Sequence, residues 1–125
     1  MPLETVRDLT RQLLQAVQAI HASLICHRDL KPDNILITKD PKTDELLLTV
    51  IDFSIAVNFE NEPLRGKNGL KIWSAPETRR MKDYDCKCDI WSVGCLVSFM
   101  LTCKNPEDKE DEPLAKLQTQ FNSHT

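Results

Sequence analysis

Glycine is scarce. Gly66, Gly69 and Gly94 are the only three in 125 residues, and they form no G-x-G-x-x-G. A glycine-rich loop whose backbone cradles nucleotide phosphates is therefore not among these residues. A surplus of positive charge is also lacking, since 16 Lys and Arg against 19 Asp and Glu leave a net charge of −3. Nucleic acid and anionic membrane surfaces call for a basic face, so neither is an expected partner. No apolar run reaches the roughly 20 residues that a membrane span needs. The longest, Ile90 to Cys103, is broken by Ser92, Gly94, Ser98 and Thr102. It reads better as a helix buried in a protein core.

The cysteines do not come in an even number: they are Cys26, Cys86, Cys88, Cys95 and Cys103. The opening "MPLETVRDL" is charged rather than secretory in character. Free thiols in a reducing, cytoplasmic compartment are the expectation. The spacing of the last four matches no common zinc pattern. What remains is ordinary: 41% hydrophobic and 28% charged residues suit one soluble globular core.

Leu3, Val6, Leu9, Leu13, Leu14, Val17 and Ile20 step along one helical face. Arg7, Asp8, Arg11, Gln12, Gln15 and Gln18 are assigned to the solvent side, and the helix should end near His21 or Ala22. "ILIT" at 35–38 and "LLLTVI" at 46–51 flank a polar connection and predict an antiparallel hairpin. In a hairpin the residue before the first strand and the residue after the second share one end. Asn34 and Asp52 should therefore stand side by side. Residues 53–77 carry no long period and read as a long loop, with a helical turn in "APETRR" at 75–80. A second helix is expected from about Lys87 to Cys103. The stretch 107–125 is an acidic tail, with a short helix near Leu114 to Phe121 as one of its two options.

"HRDLKPDN", His27 to Asn34, packs a histidine, two cations, two carboxylates and an amide into eight residues. Taken singly, His27 would be a packed histidine, Asp29 and Asp33 turn residues, and Lys31 a surface lysine. Order changes that reading. The stretch is followed by "DFS" at 52–54, "APE" at 75–77 and "DIWSVGC" at 89–95. Together these resemble the C-terminal lobe of a eukaryotic protein kinase of the Ser/Thr type. The likeness runs from about Leu3 to Pro106. It implies an α+β, mainly α-helical fold: a kinase-like C-lobe fragment with one small β-hairpin, without the smaller N-lobe. The partial domain is placed at 1–106.

The resemblance implies roles. Asp29 matches the base that accepts a substrate hydroxyl proton, and Lys31 the cation beside the transferring phosphate. Asn34 and Asp52 match the ligands of Mg²⁺, which carries ATP. His27 would pack beneath the loop, and Arg28 would meet a phosphorylated activation segment. Asp89 would accept backbone N–H groups of the loop. Glu77 matches a glutamate normally paired with a later arginine. The implied partner is a protein substrate, with a kinase or scaffold supplying surface that this chain lacks. The runner-up is a non-catalytic kinase-like binding module, or a partial gene product.

Departures from the pattern matter too. No segment resembles the strand that carries the ATP-binding lysine. Ser54 stands where glycine is usual, and strain is expected there. Leu70 replaces a threonine. Nothing from Ile55 to Trp73 is Ser, Thr or Tyr, so Glu60 or Glu62 is expected to stand in as the anion for Arg28. Glu77 should be exposed or otherwise satisfied. The helix at 90–103 should lose cover on one side.

Overall fold

A computed structural model describes residues 1–66, 71–79 and 83–106 of the chain. Leu70 and the 107–125 tail lie outside the described residues. Helix α1 spans Leu3–Ala22 and buries Val6, Leu9, Leu13 and Val17. The spacing of three, four and four keeps these on one stripe, as a 3.6-residue turn requires. Leu3 and Leu14 of the predicted face stay exposed. A short strand β1, Ile25–Cys26, follows. Leu24 between them turns the chain with φ 63°.

Strands β2, Ile35–Lys39, and β3, Leu46–Val50, pair antiparallel, with Ile35 opposite Val50 and Lys39 opposite Leu46. The hairpin leans on α1 through β3. Gln12 makes that joint. Its Nε2 donates to the Leu46 carbonyl at 2.9 Å, and its Oε1 accepts the Leu48 N–H at 2.9 Å. The side chain thus satisfies backbone groups on the strand edge that faces away from β2. The assignment of Gln12 to the solvent side is corrected. A glutamine has one donor and one acceptor on the same amide, which a strand edge can match in register.

The stretch at 53–77 is more structured than a plain loop. Strand β4, Val57–Asn58, pairs antiparallel with β1, placing Cys26 opposite Val57. Single 3₁₀ turns form at Lys71–Trp73 and Pro76–Arg79. An isolated bridge joins Leu64 to Tyr84. A two-residue strand has no period for sequence reading to detect.

Helix α2 spans Lys87–Thr102 and ends at Cys103 in the left-handed region, φ 57°. It buries Cys88, Asp89, Ser92, Val93, Cys95 and Leu96, while Ile90 and Leu101 stay exposed. The core joins Leu13 and Val17 of α1, Leu30, Trp73, and Val93, Cys95 and Leu96 of α2, with Trp91 and Phe99 packed at its edge. Ser92 ties α2 to the first 3₁₀ turn by donating to the Trp73 carbonyl at 2.7 Å. No helix among the described residues is long and apolar enough to cross a membrane.

Candidate functional site

The loop between β1 and β2 is held from within. Leu30 is buried in the core and His27 is fully buried beneath the loop. The His27 ring accepts the Asp29 N–H at Nδ1, 3.1 Å away, and lies 3.0 Å from the Ile51 carbonyl at Nε2. Accepting on one nitrogen requires the other to carry the hydrogen, so Nε2–H donates to Ile51. The histidine thereby ties the loop to the end of β3. Phe53 meets the ring edge-on at 4.8 Å.

Asp89, 1% exposed at the start of α2, anchors the same loop from below. Its Oδ2 accepts the His27 N–H and its Oδ1 the Arg28 N–H, each at 2.9 Å. His21 at the end of α1 adds a contact from Nε2 to Oδ2 at 2.8 Å, an ion pair when the imidazole is protonated. The carboxylate is thus satisfied on both oxygens, as a buried charge must be. Arg28 adopts φ 72°, which few non-glycine residues do. Those bonds hold it there.

Above these anchors the polar groups converge. Asn34 is buried, and its Nδ2 donates to the Asp29 carbonyl at 2.7 Å and to Asp29 Oδ2 at 3.1 Å. Lys31 Nζ lies 3.8 Å from Asp29 Oδ1. The Ile51 N–H donates to the Asn34 carbonyl at 2.9 Å, so Asp52 follows directly beside Asn34. Asp52 is exposed and adopts φ 61°. Hydrogen bonds from Ser54, its side chain first and its backbone N–H second, hold the Asp52 carboxyl below its usual range. The N–H of Ser54 reaches Asp52 Oδ1 at 3.1 Å. Ser54 itself is not among the residues with positive φ, so the expected strain there is corrected. The left-handed residue is Asp52, and aspartate tolerates that region better than most side chains.

The donor set suits a hard cation. Asn34 commits its amide nitrogen to Asp29, which leaves its Oδ1 without a partner among the described residues. Asp52 offers an ionised carboxylate beside it, and Asp29 a third oxygen source. Oxygen atoms of this kind are the ligands Mg²⁺ prefers.

The remaining predicted residues lie elsewhere. Arg28 gives its guanidinium to neutral oxygens: Nε to the Ile55 carbonyl at 2.8 Å, and Nη1 to the Arg65 carbonyl at 2.9 Å and the Tyr84 hydroxyl at 3.2 Å. Neither Glu60 nor Glu62 bonds to Arg28, so the expectation that one of them substitutes for a phosphate is corrected. Their backbone N–H groups instead close a turn on Asn58. Backbone carbonyls at 55 and 65 and the Tyr84 hydroxyl take three of the cation's five N–H donors, none of them bonded to a side-chain anion. Glu77 is half-buried and has no ion-pair partner among the described residues. Asp33 is exposed.

Three contributors escaped sequence reading: His21, Tyr84 and the thiol pair Cys26 and Cys88. The thiols lie 3.4 Å apart and are fully buried beside Asp89. Their signal was available, because Cys26 precedes His27 and Cys88 precedes Asp89. Residues adjacent to a bonded pair have backbones brought near one another, which makes a contact between them a natural question.

Similarity to known proteins agrees with this geometry. A family model described as "Protein kinase domain" matches residues 1–124. A probable myosin light chain kinase of Dictyostelium discoideum is 37% identical over 97 residues, covering 77% of this chain and 24% of that protein. Cyclin-dependent kinase 4 of Mus musculus is 35% identical over 113 residues, covering 86% of the chain and 36% of that protein. The serine/threonine-protein kinase RAD53 of Saccharomyces cerevisiae is 39% identical over 110 residues, covering 77% of the chain and 13% of that protein. The chain thus spans only about a third or less of the length of these relatives.

Proposed function

The chain belongs to the protein kinase family, of the Ser/Thr type, and from that premise we propose that residues 27–52 form its phosphoryl-transfer site, in the manner of a kinase C-terminal lobe. Asp29 is the base for a protein hydroxyl, Lys31 balances charge on the transferring phosphate, and Asn34 with Asp52 holds Mg²⁺. ATP is the donor. When bound, the metal supplies charge neutralisation along the phosphates.

The observation that carries this reading is the pair of hydrogen bonds from the Asn34 amide to Asp29, one to its carbonyl and one to its carboxylate. It fixes Asp29 against the loop and leaves the amide oxygen of Asn34 to take a cation. Each residue then has one task. Asp29 orients the hydroxyl by accepting its hydrogen bond at a carboxylate oxygen and takes the proton as the oxygen attacks. Lys31, 3.8 Å from the same carboxylate, remains close enough to meet an incoming phosphate. Asp52 is a carboxylate at neutral pH, and Ser54 stabilises that anion further, which suits cation binding. Phosphoryl transfer depends on placement and charge rather than on a covalent enzyme intermediate, so a rigid oxygen-rich loop is the part that matters.

A second reading is a non-catalytic module that docks on a kinase or scaffold. It draws on Ile90 and Leu101, exposed apolar residues of α2. Nucleotide binding separates the two. The midpoint of thermal unfolding should rise with millimolar ATP and Mg²⁺, and the rise should vanish in Asp52→Ala. No shift in the unaltered chain would remove the nucleotide-site reading and leave the docking one.

A further inference from the structure

Cys26 and Cys88 have no place in phosphoryl transfer, yet they occupy the point where the loop and α2 are joined. Cys26 is the last residue of β1 and Cys88 the second of α2. Their sulfurs are 3.4 Å apart, and both residues are fully buried among Leu64 and Ala75, with Val57, Phe59 and Tyr84 packed around them. One residue further along each chain, Asp89 accepts the His27 N–H. The same two elements are therefore fastened twice, once by a carboxylate and once by facing thiols. We propose that Cys26 and Cys88 are a modification site: hydrogen peroxide converts them to an intrachain disulfide that covalently staples the loop to α2.

The chemistry balances. One thiol, as its thiolate, attacks a peroxide oxygen and breaks the O–O bond. Sulfenic acid forms, and water leaves with the thiol's proton. The second sulfur attacks the sulfenic sulfur, an S–S bond forms and the S–O bond breaks, and a second water departs. Two thiols and one peroxide give one disulfide and two waters. Both sulfurs are oxidised and both peroxide oxygens reduced.

The surroundings set the rate. The hydrogen bond to Cys88, followed by burial, raises the Cys26 thiol far above its ordinary value. Thiolate is the attacking species, so the Cys26 sulfur attacks slowly and awaits local opening. This is a latch for sustained oxidation rather than a fast sensor. A zinc reading of the same cluster fits less well, because Asp89 already spends both oxygens on the loop's N–H groups.

The test is mass spectrometry on the full chain after hydrogen peroxide, digested without reductant. The expected product joins the tryptic peptide that ends at Arg28 to the one that begins at Cys88, about 2 Da lighter than the sum of the two and restored by a dithiol. Fragment ions must place the bridge on Cys88, since Cys95 and Cys103 share that peptide. Closing so long a loop should also raise the unfolding midpoint by on the order of 10 °C. Cys88→Ser should abolish both the cross-link and the rise. Several results would overturn the proposal: a bridge to Cys86, Cys95 or Cys103, intermolecular dimers alone, sulfinic acid at Cys26 with no cross-link, or full retention of both thiols. The mapping needs no variant, so a folding failure of Cys88→Ser leaves it decisive.

Discussion

Asp89→Ala should cost more than any other single polar change in the described residues. Two backbone N–H groups, buried at His27 and part-buried at Arg28, would lose a carboxylate acceptor at 2.9 Å each. Hydrogen bonds to a charged partner contribute about 1.5–3 kcal/mol apiece, and breaking a buried ionic arrangement costs about 3–5 kcal/mol. The two estimates overlap at about 3–5 kcal/mol for this site. Domains of this size hold about 5–15 kcal/mol in total, so the loss is a large share. His21 adds little to the sum, because it is partly exposed and can turn to water. Asp89→Asn keeps one acceptor oxygen but turns an NH₂ toward the second N–H, so roughly half the loss, about 2 kcal/mol, should remain. Urea unfolding followed by tryptophan fluorescence reads both variants, since Trp73 is buried and Trp91 lies two residues from Asp89 on α2. An Asp89→Ala cost below about 1 kcal/mol would refute the reasoning, as would equal costs for the two variants.

Other perturbations have defined outcomes. Gln12→Ala should cost about 1–2 kcal/mol and speed hydrogen exchange at the Leu48 amide, because the strand edge loses its acceptor and donor together; unchanged exchange at Leu48 would contradict the joint. Ser54→Ala should move Asp52's titration in carboxyl NMR up toward the ordinary range, since the first cause of its low value is the Ser54 side chain; no movement would shift the cause to the backbone. Burial pushes the Cys95 thiol from 9.0 to about 11. A folded-state value above the unfolded one gives stability that is complete below pH 9.0 and is lost as pH rises toward about 11. Unfolding free energies across that window should fall more steeply for the unaltered chain than for Cys95→Ala, and parallel curves would count against it.

Long elements and the hairpin were legible because their periods are strong. The α1 stripe and the ILIT/LLLTVI pair define α1, β2 and β3, and the hairpin's geometry alone brings Asn34 beside Asp52. The order of "HRDLKPDN", "DFS", "APE" and "DIWSVGC" pointed to the family. Short-range features were not legible. A two-residue strand such as β4 has no period, and it forms because β1 offers it a partner distant in sequence. Gln12 looked like a surface residue because helical periodicity describes a helix alone and cannot say which strand edge lies against it. Arg28 looked like an anion seeker because its charge is visible in sequence, whereas the carbonyls of Ile55 and Arg65 that satisfy it are not. Residue type alone points to strain at Ser54, whereas the backbone assigns the left-handed turn to Asp52.

Paramagnetic relaxation tests the central claim most directly. With ATP present, Mn²⁺ substitutes for Mg²⁺ at oxygen sites and broadens the amide signals around it. If Asn34 and Asp52 hold the cation, broadening should centre on residues 29, 34 and 52 and disappear in Asp52→Ala. Broadening confined to the exposed acidic turn around Asp40 and Asp44, or none at all, would contradict the account.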